Sequence, residues 1–119
     1  MDLGWIFRHC YGVKRIAGGY LPVRMSDELF DVYSREGKEA RTRAWDTSGI
    51  TMEFEVDGGT ELSFSYQADS YCRRHCVFDF YENGVFAISV REPDESHHGR
   101  INYIVNREGP VRVCIYLPY

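Results

Sequence analysis

Ile50-Thr51-Met52-Glu53-Phe54-Glu55-Val56 alternates strictly, with Ile50, Met52, Phe54 and Val56 apolar and Thr51, Glu53 and Glu55 polar. Successive side chains of a strand point to opposite faces, so this stretch predicts a half-buried β-strand rather than a helix. Asp57-Gly58-Gly59-Thr60 then turns the chain, and Glu61 to Tyr66 repeats the alternation with Leu62, Phe64 and Tyr66 on the dry side. Further on, Val77–Tyr81 and Val85–Val90 flank Asn83-Gly84. That dipeptide predicts a hairpin, because a type I′ turn needs positive φ at both central residues. The run from Trp45 to Val90 thus reads as strands in succession, and a sheet with one dry face needs a second layer to cover it.

Outward from this run the pattern continues. Ile101–Val105 and Val111–Leu117 read as the last strands, joined by 106–110. Tyr11–Ile16 and Tyr20–Arg24 read as short strands with Gly18-Gly19 between them, and Ala40–Trp45 as extended chain entering a turn at Asp46–Gly49. Gln67–Cys76 and Arg91–Arg100 read as polar loops. Ser26–Gly37 is the one expected helix: Ser26 caps the first N–H groups, Asp27 and Glu28 suit the positive end of the dipole, and Gly37 supplies a left-handed stop. Leu29, Phe30 and Tyr33 give it a single apolar stripe, so it must dock on the sheet to be stable. Many short strands with one small helix predict an all-β, jelly-roll-like β-sandwich.

The chain has 119 residues and is expected to form a single domain, 1–119. Its 44% hydrophobic and 15% aromatic content predicts a packed globule rather than a disordered chain. A formal charge of −4, with no Lys/Arg-rich block, speaks against a nucleic-acid partner. Met1–Arg8 lacks the basic and apolar regions of a signal peptide, and no run has membrane-spanning length, so a cytoplasmic location is expected. The four cysteines, Cys10, Cys72, Cys76 and Cys114, are then expected as reduced thiols, with Cys114 read as a core residue.

Gly19–Arg24, the helix at Ser26–Tyr33, Thr47–Phe54 and Val77–Val85 together resemble the N-terminal domain that precedes SGNH/GDSL-type hydrolases. In that family an Ala/Thr-Ser/Ala-Gly turn enters a long alternating strand, matched here at Thr47-Ser48-Gly49. A Phe-Asp-x-Tyr-x-x-Gly hairpin follows about thirty residues on, the separation of two strands and a loop; Phe78 to Gly84 matches it. The resemblance runs from about Gly18 to Tyr119. It implies a jelly-roll β-sandwich whose hydrolase domain follows directly in full-length members. The chain is therefore expected to be a fragment, or a stand-alone copy, of an accessory domain without its catalytic domain. The implied parent reaction is hydrolysis of an ester, such as an acetyl group on a carbohydrate.

The catalytic motifs of those hydrolases do not carry over. A nucleophilic serine in a Gly-Asp-Ser block, oxyanion donors and an Asp-x-x-His pair are needed. No Gly-Asp-Ser occurs; Ala68-Asp69-Ser70 lacks the glycine, and Asp94-Glu95-Ser96-His97 stands in a charged loop with no serine block before it. No catalytic residue and no cofactor are expected. Cys72-Arg73-Arg74-His75-Cys76 carries soft metal ligands, but zinc wants four. If this segment is extended, Cys72 and Cys76 lie about 13 Å apart, too far to share an ion, so no metal site is expected. His97 and His98 are adjacent and would face opposite ways on a strand, which opposes a cupin-type centre.

Carbohydrate binding is the alternative from a different class, since sugar faces stack on exposed aromatic rings. Trp5, Trp45, Tyr71 and Tyr81 are the candidate platforms. Trp45, directly before the turn into the central strand, reads as packing. Tyr71, between Ser70 and the nearby Arg73, reads as the exposed ring, so the expected ligand-binding residues are Trp5, Tyr71 and Arg73. The expected partner is an SGNH/GDSL-type catalytic domain, in cis or in trans, meeting the apolar chain ends at Trp5, Phe7, Tyr116 and Tyr119.

Overall fold

The computed structural model describes residues 4–10, 12–16, 19–23, 49–67, 76–91 and 98–118. A 3-10 turn at Gly4–Ile6 leads into β1 (Phe7–Arg8), β2 (Gly12–Ile16), β3 (Gly19–Val23), β4 (Thr51–Asp57), β5 (Glu61–Gln67), β6 (Val77–Glu82), β7 (Val85–Arg91), β8 (His98–Ile104) and β9 (Pro110–Tyr116). The described residues are all-β apart from that turn, as the alternation predicts. The expected helix at Ser26–Gly37 and the extended stretch Ala40–Trp45 lie outside the described residues. The loop expected over 91–100 is trimmed at both ends: Arg91 closes β7, and His98, Gly99 and Arg100 pair with Gln67, Tyr66 and Ser65. Backbone pairing sets strand ends, and a polar side chain on the wet face does not interrupt a ladder.

Strands β1-β4-β9-β6-β7 form a five-stranded antiparallel sheet, β5 and β8 form a second sheet, and β2 and β3 a third. β4 and β5, successive in sequence, do not pair with each other. Instead β4 pairs with β9 and β5 with β8. Residues 57–60 carry the chain from one sheet to the other, and residues 105–109 bring it back. Two antiparallel ribbons that turn the same corner together are the jelly-roll arrangement. The corner is bonded across: Gly58 N–H donates to Gly109 C=O at 2.7 Å, Gly59 N–H to Val105 C=O at 2.8 Å, and Val105 N–H to Thr60 C=O at 3.0 Å. A Cβ on Gly58 would stand 1.8 Å from the Arg107 carbonyl oxygen, so only glycine fits there.

The core lies between the five-stranded sheet and the β5–β8 pair. Met52, Phe78, Phe80, Val111, Val113 and Ile115 supply one wall and Ile101 the other, with Leu62, Phe64, Tyr66 and Tyr103 packed against them. Phe78 meets Phe64 and Tyr66 edge-on, at ring-centroid distances of 5.4 and 4.9 Å, and Phe80 meets Tyr103 at 4.4 Å. Such pairs add to area burial because ring edges and faces carry opposite partial charge. Cys114 is corrected by the register: it shares a face with Arg112 and Tyr116, opposite to Val113 and Ile115, and is half-buried outside the core.

The β6–β7 hairpin turns on Asn83 (φ 52°) and Gly84 (φ 80°), the backbone that the dipeptide predicts. Asn83 is also tied to β9: its N–H donates to Arg112 C=O at 2.8 Å, and its Oδ1 accepts from Arg112 N–H at 2.9 Å. Among the described residues no helix is long and apolar enough to cross a membrane.

Candidate functional site

The outer face of the five-stranded sheet gathers side chains that the core does not use. Register places Arg8, Thr51, Tyr116, Asp79 and Ser89 in one row across it, and Glu53, Cys114, Tyr81 and Phe86 in the next. Arg8, Thr51 and Glu53 make the β1–β4 side polar, while Tyr116, Tyr81 and Phe86 bring three rings together on β9, β6 and β7, beside the hydrogen-bonded Asp79–Ser89 pair. Tyr81 is the centre of these rings, meeting Phe86 at 5.5 Å and Tyr116 at 5.4 Å, both edge-on. Phe86 and Tyr116 remain 53% and 43% exposed, so the three rings present a contiguous apolar surface.

Glu53 organises the polar side. Its Oε2 accepts from the Thr51 hydroxyl at 2.8 Å and lies 3.5 Å from His9 Nε2, while Oε1 lies 3.9 Å from Arg112 Nη2. His9 reaches Glu53 from a left-handed backbone position, φ 61°. Burial, and then the negative charge of Glu53, push the Cys114 thiol above its ordinary value, against a Thr51 hydrogen bond and the Arg112 charge. A thiol held neutral is a poor nucleophile. The cluster links His9, β4 and β9 through Glu53, and the rings beside it are left half-exposed.

A second polar group lies on the inner face. Glu82 continues the alternation of Phe78 and Phe80 and is 4% exposed. The Tyr103 hydroxyl donates to its Oε2; Oε1 has no hydrogen-bond partner and lies 3.9 Å from Arg107 Nε. Burial and this carboxylate raise the Tyr103 phenol well above its usual range. Sequence reasoning passed over Glu82, although its place two residues after Phe80 in a period-two pattern marks it as inward-facing.

The expected site residues are dispersed. Trp5 is 58% exposed on the 3-10 turn, and its carbonyl accepts from Arg8 Nη1 at 2.6 Å. Phe7 pairs with Met52 on the inner face, packs on the core and lies 6.2 Å from the Tyr20 ring. Phe7 and Tyr116 are therefore on opposite faces of one sheet and do not form one surface. Tyr71, Arg73 and Tyr119 lie outside the described residues, as do Trp45, Cys72, His75 and His97. Cys76 is buried in the core, and His98 is exposed at the start of β8. Among the described residues, no group of three or more His, Cys, Asp or Glu side chains is placed to hold a metal ion.

No family model and no curated protein sequence matches the chain. Among solved structures, the chain is similar to the salicylyl-acyltransferase SsfX3 from a tetracycline biosynthetic pathway, with a TM-score of 0.76 and 21% sequence identity. The match covers 94% of this chain and 32% of that one. At this identity the likeness establishes the fold, and the chain spans about a third of the length of the acyltransferase whose β-sandwich it shares.

Proposed function

We propose that the chain is a non-catalytic accessory β-sandwich of an SGNH/GDSL-type ester-processing enzyme, acting in the cytoplasm and packing against the catalytic domain to shape substrate access. The observation that carries this reading is the likeness to one third of an acyltransferase. Acyl transfer and ester hydrolysis both proceed when a nucleophile attacks an acyl carbon, and they differ in the final acceptor. The motif resemblance to an ester-hydrolase accessory domain and the structural likeness thus agree in chemistry. The Tyr81–Phe86–Tyr116 rings are the surface offered to the catalytic domain, because a contiguous, aromatic, half-exposed patch suits a protein interface.

The test has two arms. Purified chain is expected to leave p-nitrophenyl acetate unhydrolysed, and serine-dependent turnover would overturn the non-catalytic assignment. Sequencing the gene on both sides of these codons, with cross-linking from position 116 in cells, is expected to find a Gly-Asp-Ser-containing hydrolase or acyltransferase domain in cis or in trans. Finding neither rejects the accessory role. The carbohydrate-binding alternative is favoured by the exposed Trp5 ring. It predicts retardation on polysaccharide gels that Trp5→Ala abolishes.

A further inference from the structure

The β5–β8 pair turns its second face away from the core, and register sets the side chains there in opposed pairs: Glu61 with Ile104, Ser63 with Asn102, and Ser65 with Arg100. All six are exposed. Three of them are tied together. Arg100 Nε donates to the Ser63 hydroxyl oxygen at 2.9 Å, and that hydroxyl donates to Asn102 Oδ1 at 3.0 Å. Arg100 thus passes Ser65, which stands directly across from it, and reaches diagonally to the next pair, a span that a long side chain covers.

The groups that this chain of bonds leaves unspent are donors. The Ser63 hydroxyl has used its proton on Asn102, Asn102 keeps its Nδ2 hydrogens because it accepts through Oδ1, and Arg100 keeps both Nη groups because Nε makes the bond. The ordinary partner of such a guanidinium is a carboxylate, yet among the described residues Arg100 forms no ion pair. Glu61 is the one carboxylate on this face among the described residues, two strand positions beyond Ser63, or about 7 Å by strand rise.

We propose that Arg100, held by Ser63 and accompanied by Asn102, is a binding site for a carboxylate. With Nε taken, the free end of the guanidinium is its pair of Nη groups, whose planar fork matches the two oxygens of one carboxylate. The Ser63 bond supplies order in advance, and an arginine already fixed loses less freedom when the anion arrives than a loose one does. The chain's charge of −4 works against attraction of an anion from a distance, so the affinity rests on these local bonds and is low, with a dissociation constant on the order of 1 mM. The carboxylate comes from a free acid or from an acidic side chain of a partner. Its chemistry at Arg100 is the same in both cases.

The NMR signals of the full chain's amides and arginine Nε–H groups, followed while sodium acetate replaces chloride at constant ionic strength, test this. Saturable shifts centred on Ser63, Ser65, Arg100 and Asn102 are expected, and Arg100→Gln abolishes them. Ser63→Ala keeps the charge but removes the anchor, and it raises the dissociation constant by about threefold to tenfold. Glu61→Gln lowers it, because the nearest like charge is gone. All three positions are exposed, so the far-UV spectrum of each variant stays that of the wild type. A blocked peptide carrying a single glutamate separates the sources. Tighter binding of the peptide than of acetate assigns the site to a partner's side chain, and equal or weaker binding assigns it to a free acid. No saturable shift up to about 100 mM acetate, shifts that persist in Arg100→Gln, wild-type affinity in Ser63→Ala, or weaker binding by Glu61→Gln overturns the proposal. The reading of the chain as an accessory domain is untouched by any of these outcomes.

Discussion

Glu82 and Tyr103 form the one contact in which a buried charge meets its partner across the two sheets among the described residues. A buried carboxylate costs free energy unless hydrogen bonds replace its water, and here Tyr103 supplies the bond while Arg107 stands beside it. Tyr103→Phe leaves both carboxylate oxygens without a hydrogen bond and is expected to cost about 1–3 kcal/mol near neutral pH. The sign of the pH dependence follows from the phenol. Its value in the fold is raised above the ordinary 10.0, so the unfolded chain loses that proton first. The stability it contributes is complete below pH 10.0 and is lost as pH rises through the unfolded value toward the folded one. Urea midpoints measured from about pH 9 to about pH 11 should therefore fall more steeply for the wild type than for Tyr103→Phe. Parallel curves would show that this phenol is not raised.

At the scale of elements, the corner where β4 passes to β5 and β8 passes to β9 decides how the sheets sit. The Asp57-Gly58-Gly59-Thr60 turn is plain in the sequence, but as a turn it is compatible with a hairpin. The structure uses it to leave one sheet for the other, because β4 finds its partner in β9 and β5 finds its partner in β8. Gly58 is the residue that permits this: it donates to Gly109 and lets the Arg107 carbonyl approach where a Cβ would stand. Gly58→Ala is expected to destabilise by about 3 kcal/mol, since the atom in the way is backbone and must move. Gly59→Ala tests a different cause. That position has φ +84° and open space, so its expected cost is the left-handed penalty of about 1–2 kcal/mol. Equal costs in thermal unfolding would remove the close approach as the reason for Gly58.

For the molecule as a whole, stability is concentrated where the two layers meet. Phe80 is fully buried between them, in contact with Tyr103, whereas Ile88, opposite it on β7, is 47% exposed. Phe80→Ala is expected to cost about 3–5 kcal/mol and Ile88→Ala no more than about 1 kcal/mol by urea unfolding. Similar costs would mean that the β5–β8 layer, or another part of the chain, covers β7 as well. The same asymmetry divides labour across the sheet. One face builds the fold, and the other leaves the Tyr81–Phe86–Tyr116 rings half-exposed.

Much of this was legible in the residues alone. The alternation at Ile50–Val56 and Glu61–Tyr66, and the Asn83-Gly84 turn, determined strands, faces and one hairpin, because period two and positive φ are local properties of the chain. The function of the exposed surface was less legible. Tyr116 reads as an apolar chain end, but its grouping with Tyr81 and Phe86 depends on register between strands distant in sequence. Phe7, singled out for the same reason, turned inward because its pairing with Met52 put it on the core face. Cys114 went the other way, out of the core, by the phase of β9. Alternation by itself determined that residues would divide between two faces. The tertiary structure alone decided which strands lie side by side, and hence which side chains share a face, because those choices are made by pairing at long range and by the packing of one sheet on another.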